Sequence, residues 1–306
     1  MAAGKHGAGA LSEIFVLGNA SIDVTLNVPR LPVAGETLIA RGMMRSPGGK
    51  GLNQAVMAAR AGAAVHFCAP VGREAEAAII HLALADESFA SLRLIETDHP
   101  TDLSTLIVAA DSENMIVSTG DCADGLSADM ACRFVANLQP DDWLLVQGNL
   151  TEEATWAAVS RGRNIVLNTA PIRWRSSRIL AAATIVVANQ GEAQAITGQS
   201  DPARAAVLLG GKIGIVTLGA AGCIVGQAGE ITGYPARPAV AVDTSGAGDV
   251  FCGVLTAGLA LGETIKFALA QAQRAAALAV SRAGCFAGFP SAAELLAAKS
   301  APLPAP

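Results

Sequence analysis

Short runs of consecutive apolar residues alternate along this chain with longer, alanine-rich stretches of mixed polarity. The runs at 14–17, 64–69, 143–147, 164–167, 184–188 and 214–217 have consecutive rather than alternating apolar residues at their centres, which predicts strands covered on both faces. Between them, stretches such as 53–61, 152–160 and 201–209 have the length and composition of helices. Strand, helix, strand repetition predicts an α/β fold, a mostly parallel central sheet with right-handed crossovers and helices on both faces. Two segments break the rhythm. Residues 24–44 and 105–118 contain the period-two stretches Thr25-Leu26-Asn27-Val28 and Leu106-Ile107-Val108, set off by Pro and Gly turns. They predict antiparallel strands, with Asp111-Ser112-Glu113-Asn114 as a hairpin turn. Both follow sheet strands, so they are expected to form one small β-sheet beside a discontinuous main domain made of 1–23, 45–104 and 119–306. The opening MAAGKHGAGA and the closing SAPLPAP read as flexible ends.

Composition narrows the class. Of 306 residues, 52% are hydrophobic and 15% charged, enough for a sizeable core. The formal net charge of -5 argues against nonspecific nucleic-acid binding, which needs cations to neutralise phosphates. An anionic ligand can still be held by amide dipoles and a few cations. Cys68, Cys122, Cys132, Cys223, Cys252 and Cys285 are dispersed without a CxxC pair and read as thiols. His6, His66, His81 and His99 add no zinc-type spacing. Glu13 and Asn19 interrupt any signal-peptide core, and the apolar run from Val250 to Leu261 is too short to span a bilayer. A soluble, cytoplasmic protein without a membrane or nucleic-acid partner is expected.

The chemistry concentrates between Ala239 and Leu255, AVAVDTSGAGDVFCGVL. A short apolar strand runs into the small-residue turn Thr244-Ser245-Gly246-Ala247-Gly248, and an apolar helix is predicted to start near Asp249. Glycines allow close approach to a ligand, and a helix N-terminus offers free N–H groups and the positive end of the dipole. Asp249 has two readings on local grounds. It can cap the helix, or it can be the base that deprotonates a hydroxyl attacking a phosphate bound at those amides. GAGDVFCG has the wrong spacing and place for a GxGxxG dinucleotide fingerprint. Ser46-Pro47-Gly48-Gly49-Lys50-Gly51 likewise lacks the spacing and the Ser/Thr of a P-loop.

Five segments, in order, carry a resemblance: Pro47-Gly48-Gly49-Lys50-Gly51-Leu52-Asn53-Gln54-Ala55, Asn168-Thr169-Ala170-Pro171, Asn189-Gln190-Gly191-Glu192, Thr217-Leu218-Gly219-Ala220-Ala221-Gly222 and DTSGAGDVFCG. Together they resemble the ribokinase-like carbohydrate kinases, the phosphofructokinase-B family, nearest to its ribokinase branch, over residues 14 to 290. The resemblance implies a three-layer fold whose small β-sheet, 24–44 and 105–118, is a lid that excludes water, with Gly35-Glu36-Thr37 matching a lid strand. It implies Asp249 as catalytic base, with the amides of Gly246, Ala247 and Gly248 as an anion hole. Asn189 and Glu192 would organise Mg²⁺ and the triphosphate of ATP through water. Thr217, Gly219 and Gly222 would lie along the nucleotide. Asp23, Gly49, Lys50 and Asn53 would meet the sugar.

A monovalent cation, K⁺, is implied at Asp243, Ser245, Ala279, Arg282, Gly284 and Gly288, several through backbone carbonyls, and Gly288 lacks the side chain the ribokinase branch uses. Lids of two subunits pair in many relatives, so the resemblance also implies a homodimer. Two substrate positions depart from the branch. Ser21 stands where its members have Asn, and Asn149 stands where they have a Glu, as in some nucleoside kinases of the family. The expected activity is transfer of the ATP γ-phosphate to a primary hydroxyl of a pentose or related sugar. The alternatives are the same chemistry on a nucleoside such as pseudouridine, or a non-catalytic sugar- or nucleotide-binding protein on the same scaffold.

Overall fold

The computed structural model describes residues 12–110 and 113–299. The expected flexible ends therefore lie outside the described residues, as do Asp111 and Ser112 of the hairpin turn. The strands run β1 (Ile14–Leu17), β2 (Ser21–Val28), β3 (Gly42–Gly48), β4 (Val65–Val71), β5 (Ser91–Glu96), β6 (Asp102–Ala109) and β7 (Asn114–Ser118). They continue as β8 (Trp143–Gln147), β9 (Asn164–Asn168), β10 (Ile185–Asn189), β11 (Ile213–Thr217), β12 (Cys223–Gln227) and β13 (Glu230–Tyr234). The first helices are α1 (Lys50–Arg60), α2 (Ala75–Leu84), α3 (Asp121–Asp124), α4 (Ala128–Phe134), α5 (Glu152–Val159) and α6 (Ser177–Ala182). After them come α7 (Gln190–Thr197), α8 (Pro202–Leu208), α9 (Ala247–Ala260), α10 (Ile265–Val280), α11 (Cys285–Gly288) and α12 (Ala292–Lys299).

A nine-stranded sheet has the order β13-β12-β11-β10-β9-β8-β1-β4-β5. It is parallel from β5 to β11, and β12 and β13 close it as antiparallel strands. The continuous apolar runs are the buried centre of this sheet. Alternate residues face opposite layers, so Ile14 and Val16 join one core cluster while Phe15 and Leu17 join the other. The chain leaves β1 to β4 on one side and reaches β8 on the other. The carboxyl ends of β1 and β8 thus flank the switch point where open α/β sheets open a crevice.

Two helices bring the chemistry to that crevice. α9 is buried along most of its length and packs against α1, α10 and strands β1, β8 and β9. A Cβ on Gly253 would lie 2.5 Å from the carbonyl oxygen of Gln54, so glycine there lets α1 and α9 touch backbone to side. That close crossing brings Asn53 and Gln54 beside Asp249.

The small sheet has the order β3-β2-β6-β7. Its outer pairs are antiparallel as expected, but β2 and β6 pair in parallel over Ser21–Val28, because both leave the main sheet in the same direction. Its strands extend beyond the expected limits, so Ser21, Asp23 and Asp102 all lie within them. Gly35-Glu36-Thr37 is no strand. Gly35 turns the chain with φ 85°, and Glu36 folds back to pair with Arg30 and to accept from the Val33 amide at 3.2 Å. Among the described residues no helix is long and apolar enough to cross a membrane.

Candidate active site

At the carboxyl ends of the parallel strands lies a cleft of about 1240 Å³. Single-ligand pockets run roughly 300–1000 Å³, so two ligands can share it. Ser21, Asp23, Gly49, Lys50, Asn53 and Asn149 line one end, and Asn189, Glu192, Thr217, Gly219 and Gly222 the other. Ser245 to Asp249 lie between.

Asp249 is the third residue of α9, not its cap. The cap is Gly246, in the left-handed region at φ 75°, and its backbone does the turning. A Cβ there would sit 2.5 Å from the Cys285 sulfur and 2.8 Å from the Phe289 ring. Glycine is therefore required twice over, for conformation and for space. Asp249 is only 5% exposed, and both of its oxygens are addressed by donors. Asn53 Nδ2 donates to Oδ2 at 3.1 Å, Gln54 Nε2 donates to Oδ1 at 2.9 Å, and Lys50 Nζ stands 3.9 Å from Oδ1. Asp249 in turn raises the Lys50 pKa, so the ammonium stays charged. Cys285 completes this wall, and burial followed by the Asp249 charge pushes its thiol well up. It is held as a neutral thiol.

At the other carboxylate, burial pushes the Asp23 pKa up to about 6. A hydrogen bond from Ser21 Oγ at 3.3 Å opposes this, and the charge of Asp249 adds to it. Nearby, the buried Asn53 Oδ1 and Asn149 Oδ1 have no hydrogen-bond partner in the protein. Buried acceptors left open are costly unless a ligand supplies donors. This end of the cleft is thus built to receive hydroxyl or N–H groups.

The far end is made differently. Asn189 Oδ1 accepts from the Glu192 amide at 2.8 Å, and the Asn189 amide donates to Glu192 Oε2 at 3.0 Å, a reciprocal capping box at the start of α7. Thr169 Oγ1 and Asn189 Nδ2 also donate to Glu192, at 3.0 and 2.7 Å. A carboxylate so engaged fits a hydrated Mg²⁺ held through water rather than by direct ligation. Thr217, Gly219 and Gly222 present mostly backbone.

The residues expected to hold a monovalent cation lie behind the turn at 245–249, and of them only Ser245 borders the cleft. Asp243 accepts from the Ser245 amide at 2.9 Å and the Gly284 amide at 3.0 Å, tying two loops together. The Arg282 side chain turns away to Glu294. A Cβ on Gly288 would lie 3.5 Å from the Ala283 carbonyl oxygen and 3.6 Å from that of Ala279, so its missing side chain leaves space beside two carbonyls. That donor set suits a monovalent cation.

Three side chains not singled out from the sequence join the site. Gln54, Gln147 and Asn168 form a buried amide network behind Asp249. The signal was available in the last two: each is an amide ending a continuous apolar strand, WLLVQ and NIVLN.

Comparison with known proteins identifies the family. The family model described as pfkB family carbohydrate kinase matches residues 11–292. Ribokinase of Bacillus subtilis is 30% identical over 285 residues, covering 92% of this chain and 97% of the relative. Among solved structures, Thermotoga maritima ribokinase superposes with a TM-score of 0.84 at 26% identity, covering 94% of this chain and 99% of its own. Arabidopsis thaliana ribokinase, solved in complex with ribose and ATP, shares the fold with a TM-score of 0.83 at 23% identity, covering 96% of this chain and 100% of its own.

Proposed function

Because the chain belongs to the pfkB family of carbohydrate kinases, we propose that it transfers the γ-phosphoryl group of ATP to a primary hydroxyl of a pentose or closely related sugar, with Asp249 as general base. The observation that carries this reading is the place of Asp249, buried at the junction of the two ends of the cleft and one turn inside a glycine-capped helix. In the reaction the sugar hydroxyl gives its proton to the Asp249 carboxylate as its oxygen attacks the γ-phosphorus. The O–P bond to the sugar forms in line as the bond to the β-phosphate oxygen breaks, and ADP leaves. Amides of Gly246 and Gly248 would meet the charge that develops on the transferring group, joined by that of Ala247 once it leaves the Thr244 carbonyl, to which it donates at 3.3 Å. Asp23 and Asn53 accept and orient sugar hydroxyls, and Lys50 balances the paired carboxylates.

Asn189 and Glu192 would hold Mg²⁺ through water, and that ion supplies positive charge against the triphosphate. K⁺ behind the turn, at Asp243, Ser245, Ala279, Arg282, Gly284 and Gly288, would order the anion-hole loop. The small sheet would close over the sugar as a lid. Its outer strands β3 and β7 expose Met43 (62%) and Val117 (64%), which supports pairing with the lid of a second copy.

A nucleoside is the second reading, and Asn149 favours it. Its unpartnered Oδ1 accepts one donor where a carboxylate would accept two hydroxyls. An ADP-release screen over ribose, deoxyribose, other pentoses and hexoses, sugar phosphates and nucleosides, with Mg²⁺ and with or without K⁺, tests both. The highest kcat/KM on a free pentose supports the first reading, and on a nucleoside the second. Binding of sugar and ATP without ADP release would instead leave a non-catalytic binding protein.

A further inference from the structure

We infer that Gln54 is the positioning residue for Asp249, itself locked by Gln147 and Asn168, so that three uncharged amides set the aim of the base. The inference rests on the reading of Asp249 as base. Gln54 is fully buried and lies on α1, whereas Asp249 lies on α9. Its Nε2 donates to Asp249 Oδ1 at 2.9 Å and points also at Asn168 Oδ1, 3.4 Å away. Its Oε1 accepts from Gln147 Nε2 at 2.8 Å. Asn168 is oriented in turn by donating Nδ2 to the Val187 carbonyl at 3.3 Å.

The direction of every amide follows from its neighbours. Turning Gln54 over would set its oxygen against both the Asp249 carboxylate and Asn168 Oδ1, and its NH₂ against that of Gln147. Turning Gln147 over would oppose two oxygens. Only the observed sense avoids opposing like groups; it leaves the buried Gln147 Oε1 without a partner and always presents an N–H to Asp249. Gln147 and Asn168 end the neighbouring strands β8 and β9 and sit opposite one another in the parallel register. The amide pair is therefore anchored at the ends of two buried central strands, and Gln54 carries that placement across the α1–α9 contact to the carboxylate.

Unlike Asn53 and Lys50, Gln54 and Gln147 do not line the cleft, so substrate cannot replace the Gln54 contact to Asp249; of the three amides only Asn168 borders the cleft. A carboxylate with one oxygen fixed in this way keeps its other lone pairs at a constant angle to the incoming hydroxyl, and positioning of that kind acts on kcat. A merely structural amide would act on stability instead.

The test uses steady-state kinetics on the best sugar, with thermal melting alongside. Gln54→Met, close in volume, is expected to lower kcat roughly 10- to 100-fold, the range for losing a hydrogen bond to a charged group, with both KM values within about 2-fold. Gln147→Met is expected to lower kcat about 3- to 10-fold in the native background and less than about 2-fold in the Gln54→Met background, since it acts through Gln54. Gln54→Met should likewise add nothing to Asp249→Asn. Wild-type kcat in a folded Gln54→Met protein, or additive losses in the double variant, would overturn the inference. If Gln54→Met does not fold, Gln54→Asn keeps an amide that is too short to reach, and wild-type kcat there overturns it equally. An unchanged kcat in Asp249→Asn would instead overturn the base itself, a separate failure.

Discussion

The two ends of the cleft are built from different materials. The end proposed for the sugar relies on side chains: two buried carboxylates, the partly exposed Lys50 ammonium and two open amide oxygens, crowded where the small sheet meets the switch point of the large one. The end proposed for the nucleotide relies on backbone and on a capping box that is already satisfied within the protein. Recognition through buried, unsatisfied groups is discriminating, because a substrate lacking the matching donor leaves a costly gap. Recognition through backbone and partly exposed groups tolerates change. Substitutions at the first end should therefore be severe and substrate-dependent, and those at the second mild and uniform.

Apart from the base itself, the largest effect is expected at the joint between the two ends. Gly246→Ala puts a Cβ against Cys285 and Phe289 at a positive φ and displaces the amides of the proposed anion hole. Turnover should fall on the order of 100-fold with every substrate, together with a lower melting temperature. Near-native turnover would separate the turn from the chemistry.

Next comes Asp23→Asn, for which sugar KM should rise about 10- to 100-fold while nucleotide KM stays put. The pH dependence has a definite sign. The folded pKa of about 6 lies above the ordinary 3.8, so Asp23 is ionised above about pH 6 and gains a proton as pH falls through that value. Sugar KM for the native enzyme should therefore rise below about pH 6, and the variant should lose this dependence. The same shift means that the charged form destabilises the fold at neutral pH, by up to about 3 kcal/mol, and that this cost disappears as pH falls towards 3.8. Asp23→Asn should accordingly raise the melting temperature at pH 7.5 and do so less at pH 5, a gain in stability traded for sugar affinity.

At Asn149, replacement by Leu removes one neutral acceptor. The preferred substrate should lose roughly 5- to 20-fold in kcat/KM, and sugars or nucleosides lacking the matching donor almost nothing. The smallest effect belongs to the nucleotide end. Glu192→Gln keeps most of the capping geometry and should raise nucleotide KM roughly 3- to 10-fold, more at low Mg²⁺ than at high, with sugar KM unchanged. A larger loss there than at Asp23 would reverse the contrast between the two ends.

Legibility in the sequence divided along similar lines. Apolar runs marked the centre of the large sheet, because burial on both faces leaves no polar positions to blur the strand. Strand β5 was not legible: Ser91–Glu96 is an edge strand, largely exposed, and carries no continuous run. The parallel pairing of β2 with β6 depends on two segments far apart in the chain, and period-two alternation is silent on direction. Gly35-Glu36-Thr37 was expected as a lid strand from the family resemblance alone, and the competing pull, the Arg30–Glu36 pair, is a side-chain contact that a motif match does not show. Motif order brought the cleft residues to view one by one. It did not reveal that Gln54, inside a quoted motif, faces Asp249 across a glycine-mediated helix crossing, since that contact joins positions nearly 200 residues apart. Asp249 itself looked like a cap on local grounds. Only the left-handed Gly246 cap, which frees the carboxylate from that task, separates the two readings.

The most direct test of the account is single-turnover phosphoryl transfer by Asp249→Asn, with sugar and ATP binding measured on the same protein by calorimetry. The account expects both ligands to bind within a few-fold of native affinity while the transfer rate falls about 1000-fold or more. Transfer at the native rate in that variant would contradict it.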